Sequence, residues 1–221
     1  MNNTNNLLLT SALVVCNFSV ANAQISNKNF VGPSIEVGIQ SSNLIIQDSE
    51  EEFNNEFPSD TKALGKVSFN YGLPITNRTV IDLGASYVAG KLTGAGIDYF
   101  GYGGEGPRLD KMYSLYVAPN LLLTDNTAIF AKISYNRANG SAVVYDGSDY
   151  RVSSKTISGL GIGAGVTTYL TKDIYLKAEI ERVNYGSDRY TVQDYEDATI
   201  TYDQNYSAKS NNASISIGVK F

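Results

Sequence analysis

The stretch "IYLKAEIERVNY", residues 174–185, decides the fold. Extended, it separates into two faces: Ile174, Leu176, Ala178 and Ile180 on one, and Lys177, Glu179 and Glu181 on the other. Alternation predicts a strand but leaves open which face meets solvent. A soluble barrel is greasy inside and charged outside, and a membrane barrel is the reverse. In the membrane case a one-residue slip would push Lys177, Glu179 and Glu181 into hydrocarbon, where a midplane lysine alone costs about 2–4 kcal/mol. In the register that survives, Arg182 points outward, which suits a position near the external interface where it can snorkel or meet lipopolysaccharide phosphate.

Working outward from this strand, period-two alternation marks seven more stretches, at 30–40, 63–71, 79–89, 112–123, 127–136, 156–169 and 208–221. Three connections are short and carry turn residues: "GLPITNR" (72–78), "TDN" (124–126) and "LTKD" (170–173). The other four, near 41–62, 90–111, 137–155 and 185–207, are expected as long loops, well beyond ordinary length. Long and short alternate strictly, so an up-and-down meander puts all short turns at one end and all long loops at the other. That is the layout of transmembrane barrels with short periplasmic turns and long external loops. The fold expected is therefore all-β: an eight-stranded antiparallel up-and-down transmembrane barrel over residues 24–221.

Charge placement favours lipid over water outside. Of 22 acids, 16 fall in the four long connections, whereas a soluble barrel would distribute charge along its outer strand faces. Ile81, Leu83, Ala85 and Tyr87 share one side of their strand, as do Ile129, Ala131, Ile133 and Tyr135. The reverse faces hold Asp82, Gly84 and Ser86, and Lys132, Ser134 and Asn136. Tyr71, Tyr113, Tyr169, Tyr175 and Phe221 lie near strand ends, where interfacial aromatic girdles are expected. A net charge of −5 with no cluster of Lys and Arg argues against nucleic acid.

Residues 1–23 read as an export signal, with an apolar core at 7–15 and a small-x-small site, Ala21-Asn22-Ala23, before Gln24. Cys16, the single cysteine, lies inside that segment, so no disulfide or thiol chemistry is expected of residues 24–221.

The stretch "GLGIGAGVTTYLTKDIYLKAEIERVNYG" (159–186) resembles the sixth strand, turn and seventh strand of small OmpA-like and opacity-type (OmpX-like) outer-membrane barrels. "YVAPNLLLTDNTAIFAKISYN" (116–136) is similar to their preceding hairpin. The resemblance spans 30–221 and implies the outer membrane of a Gram-negative bacterium, contact with its lipid and lipopolysaccharide, and a structural or adhesion-like role. It also implies that Phe221 matches the terminal signal read by the outer-membrane assembly machinery.

Chemistry is constrained by one absence: the sequence has no histidine. The lipid A acyltransferases and deacylases that this size class resembles use His with Ser, and the larger omptin proteases use Asp with His. A Ser-Lys or carboxylate-pair mechanism stays formally open without a spacing that supports it. "GYGGEG" (101–106) satisfies G-x-G-x-x-G but lacks a leading strand and a following helix, so it reads as a loop tip. "DSEEEFNNEFPSD" (48–60) reads as a solvated acidic loop, with a divalent-cation or protein contact as the alternative. No catalytic, cofactor or metal site is expected.

The inward face is expected to hold Glu36, Asp82, Glu179 and Glu181 with Lys66, Lys132, Lys177 and Lys220, a balanced network that closes a narrow barrel. Gly159, Gly161, Gly163 and Gly165 would leave room for those side chains. Three functions follow as expectations: a non-enzymatic envelope protein whose external loops make surface contacts, a narrow passive channel, or an exported soluble lipocalin-like binder.

Overall fold

The computed structural model describes residues 26–48, 56–58, 61–93, 108–145, 150–186, 188–193 and 201–221. A 3₁₀ turn, Lys28–Phe30, precedes ten strands: β1 (Gly32–Asp48), β2 (Glu56–Pro58), β3 (Lys62–Thr76), β4 (Thr79–Thr93), β5 (Arg108–Leu122), β6 (Thr127–Tyr145), β7 (Tyr150–Tyr169), β8 (Ile174–Tyr185), β9 (Asp188–Gln193) and β10 (Thr201–Lys220). All pairings are antiparallel, and β1 joins β10 to close the sheet. β2 pairs with β1 beyond the end of β3, and β9 pairs with β10 beyond the end of β8. These two short strands extend neighbouring staves, leaving an eight-staved barrel.

Its stagger can be read from the pairing. The register runs from Ile35 through Phe69, Ala85, Leu115, Tyr135, Leu160, Asn184 and Lys209 and arrives at Ile45, ten residues further along the starting strand. Closure with that shear tilts every strand and leaves an interior that side chains can fill.

The three short turns share one device. Arg78 N–H donates to Thr76 Oγ1, Asn126 and Thr127 N–H to Thr124 Oγ1, and Asp173 and Ile174 N–H to Thr171 Oγ1. Each threonine hydroxyl thus takes up main-chain donors that the end of the ladder leaves over.

The strands run further than alternation alone indicates. Of the expected loop 137–155 only 146–149 lie outside the described residues, and β6 and β7 stay paired up to Tyr145 and Tyr150. β1 likewise continues to Asp48 opposite Tyr206. The main-chain ladder needs no apolar face to continue, so hydropathy loses track of a strand where it leaves lipid while hydrogen bonding does not. The glycine-rich stretch 101–106 and most of 48–60 lie outside the described residues.

The outward faces are apolar around the ring. Ile39, Val67, Leu115, Ile133, Leu160, Ile180 and Ile215 are all exposed, the last by 69%. Among the described residues no acid stands on this belt: Glu36, Glu179 and Glu181 face inward, Asp82 is half-buried, and Asp125 and Asp173 lie in turns. An exposed patch this extensive is stable only in lipid. The soluble lipocalin-like alternative fails on that observation. Tyr71, Tyr87, Tyr113 and Tyr135 point outward, as girdle residues do. Tyr169 and Tyr175, expected with them, are buried inside the periplasmic end instead; strand-end position alone does not choose a face, and parity puts both inward.

Candidate functional site

The interior is built in layers along the staves. At the periplasmic end Phe30, Val80, Leu122, Ala128, Tyr169 and Tyr175 form an apolar stopper, with Phe30 edge-on to Tyr169 at 4.9 Å between ring centroids. The segment before β1 straps across this mouth. Ser26 N–H donates to Asp125 Oδ1, and Asn29 Nδ2 donates to the Asp125 carbonyl and to Asn126 Oδ1. Asn27 Nδ2 reaches the Thr76 carbonyl. Gly72 lets the strap lie flush, since a Cβ there would collide with the Phe30 carbonyl.

Above the stopper lies a charged layer, level on β6 with the outward Ala131 and Ile133. Lys177 Nζ meets Glu36 Oε1 at 3.2 Å, and the same oxygen accepts from Asn70 Nδ2 at 2.8 Å and Tyr175 Oη at 3.0 Å. Glu179 Oε1 takes Lys66 from β3 and Lys132 from β6, each at 2.9 Å. Lys132 also reaches Glu181 Oε2 at 3.1 Å, and Ser134 donates to Glu181 Oε1 at 2.5 Å. Lys132 is only 2% exposed. Buried charges persist where every one is paired and hydrogen-bonded, and here the pairs tie β1 and β3 to β6 and β8 across the lumen.

Six of the eight sequence-derived residues therefore come together: Glu36, Lys66, Lys132, Lys177, Glu179 and Glu181. Asp82 lies beside the layer, half-buried, at an inward position of β4. Lys220 does not join. It sits half-buried at the periplasmic mouth, its Nζ donating to the Lys28 carbonyl. Its inward parity was legible, but it stands at the very end of β10, below the charged layer.

Tyr116 is the member of this layer that sequence reasoning missed. Its hydroxyl donates to Asn70 Oδ1, and Lys132 Nζ stands 4.6 Å from its ring centroid. Lys177 stands 4.9 Å from the Phe130 ring. The signal that could have found these aromatics is a cross-strand rule: Tyr116 opposes Gly84, Phe130 opposes Gly165 and Tyr175 opposes Gly218. A Cβ on any of the three glycines would fall within 2.4 Å of the opposing ring. The missing side chain is the space the ring occupies. Gly161 does the same for polar atoms, its missing Cβ leaving room for Ser134 Oγ and Glu181 Oε1.

Further out, Gln40, Ser86, Ser114 and Asn136 with Val88 and Met112 line a small, partly polar cavity, with Ser86 and Ser114 hydroxyls 2.6 Å apart. Above it the inward face turns apolar again. Leu44, Leu64, Val88, Leu92, Leu109, Met112, Ala138, Ile157, Val183 and Tyr185 pack into a second stopper. Val88 and Met112 oppose each other across β4 and β5, as Ala138 and Ile157 do across β6 and β7. No three of His, Cys, Asp and Glu are grouped as a metal site would need among the described residues.

No protein-family model matches this chain, and no curated protein matches it in sequence. Solved structures do match in shape. The outer membrane protein AlkL, determined in DMPC lipid bilayers, superimposes with a TM-score of 0.50 over 93% of this chain and 96% of its own, at 11% identity. The fold is that of a small outer-membrane β-barrel. Ail, the attachment invasion locus protein of Yersinia pestis, in complex with the heparin analogue sucrose octasulfate, gives a TM-score of 0.48 at 12% identity, covering 86% of this chain and 99% of its own. The outer membrane protease OmpT from Escherichia coli gives 0.48 at 9% identity, covering 86% and 96%.

Proposed function

We propose that this is a non-enzymatic, closed barrel of a Gram-negative outer membrane that contributes to envelope structure and offers its external strands and loops for surface contact. In this reading residues 1–23 are removed on export, residues 24–221 form the barrel, and the last strand with Phe221 is what the assembly machinery reads. The observation that carries it is the doubly stoppered lumen. Among the described residues, an apolar cluster near each end and a charged layer of ion pairs between them support a closed lumen. Opposite charges face one another here, whereas a selective pore is expected to favour one sign. The lack of histidine, with the central carboxylates engaged by lysines, supports a scaffold over a catalyst.

The polar cavity beneath the external stopper is what favours the second reading, a narrow passive channel. Planar-bilayer recording separates the two. The closed barrel gives at most small, rare openings, and a steady conductance step at every insertion overturns it. Contact through the loops is tested by binding of intact cells to immobilised host-surface or neighbouring-cell extracts, with and without replacement of 94–107 and 194–200 by short turns.

A further inference from the structure

The outward rim at the loop end is lopsided. On three consecutive strands, β4, β5 and β6, exposed Tyr87, Tyr113 and Tyr135 stand beside exposed Lys91, Lys111 and Arg137. Tyr87 pairs directly with Tyr113 and Tyr113 with Arg137, and the first two rings lie 4.9 Å apart at a 36° tilt. Around the rest of the ring, outward positions of comparable height are Leu160, Arg182, Ala213, Ser41 and Gly65, so one lone base without a tyrosine beside it faces outward there. Among the described residues, Asp110 is the one acid at this end of the three strands, and it is half-buried opposite Lys91.

The backbone is irregular at the same place. The pairing register shifts between Val88 and Lys91 and again between Asp110 and Tyr113. Lys111 adopts φ 48°, a left-handed conformation that a non-glycine residue holds only when its surroundings enforce it. Bulges re-aim side chains at barrel rims, and here they set Lys91 and Lys111 outward in a row with Arg137.

The geometry points to a binding site for one phosphorylated glycolipid of the outer leaflet on the β4–β5–β6 face. The bases take the headgroup phosphate, Arg137 by its planar fork and the lysines as point charges. The tyrosines offer flat apolar faces for the sugar ring at interfacial depth. Acyl chains lie down the apolar belt over Leu115, Val117 and Ile133, all exposed. This rests on the reading that the long loops face outward from the cell.

The test is native mass spectrometry of the detergent-solubilised barrel titrated with diphosphoryl lipid A and, in parallel, with the same lipid stripped of phosphate. Wild type should retain the phosphorylated lipid preferentially. A triple variant, Lys91→Gln, Lys111→Gln and Arg137→Gln, should lose about a hundredfold, since each base near a headgroup contributes about fivefold. Tyr113→Leu should weaken both lipids by a smaller factor, and Arg182→Gln on the opposite face should leave retention unchanged. Equal losses in the triple variant and Arg182→Gln, displacement by inorganic phosphate alone, or a barrel dimer in place of bound lipid would each overturn the site. Heat-modifiable migration of the same samples in SDS gels checks the barrel separately, so a folded barrel without lipid preference refutes the site while the membrane reading stands.

Discussion

Lys132 and Ala138 stand on the same inward face of β6, three inward positions apart, in opposite surroundings. Lys132 bridges two carboxylates, while Ala138 belongs to the apolar stopper beyond it. The outward neighbours explain the difference. Beside Lys132 the strand shows lipid Ala131 and Ile133; beside Ala138 it shows Arg137 and Asn139. In lipid the hydrophobic effect gives no preference for an apolar lumen, so ionic pairs can brace it beside aromatic filling such as Tyr116 and Phe130. Above the lipid, water returns and the ordinary inside-apolar arrangement becomes the stable one.

If that contrast is right, the largest loss comes from breaking the brace. Lys132→Met leaves Glu179 and Glu181 short of a shared cation and should destabilise by about 3–5 kcal/mol, read from the urea midpoint of folding into phosphatidylcholine vesicles. Leu44→Ala empties a fully buried site in the external stopper and should cost about 2–5 kcal/mol; protection of β1 amides from hydrogen exchange should fall near Leu44 and not near Glu36. Ile217→Arg tests the outward side, with an expected cost of about 2–4 kcal/mol near the midplane. Gly84→Ala pushes a methyl into the Tyr116 ring and should cost about 1–3 kcal/mol, recovered by Tyr116→Leu in a double-mutant cycle. Arg182→Gln, outward at the rim, should change stability by less than about 1 kcal/mol in the same assay.

The barrel, its eight staves, the inward parity of the charged residues and the outward belt were all legible in the sequence, because period-two alternation is a direct image of a two-sided environment. The external stopper was not. Leu92, Leu109 and Ala138 alternate properly, but with the opposite sense to the residues below them, so a single-sense reading ended the strands early and assigned 90–111 and 137–155 to loops. The aromatic filling was hidden for another reason. Parity puts Tyr116 and Tyr175 inward, but the room each ring fills depends on which glycine opposes it, and register across strands is a tertiary fact. Lys220 shows the same limit along the axis: parity gives the face, and the depth comes only from the stagger.

The switch itself is what a site-directed spin-label scan of residues 128–140 on β6 measures, one cysteine at a time, by collision with oxygen and with a water-soluble nickel chelate. Oxygen contact should peak at 129, 131, 133 and 135 and give way to nickel contact at 137 and 139, with 132 and 138 shielded from both. Nickel contact at 133, oxygen contact at 132, or lipid exposure continuing through 137 and 139 would contradict the account.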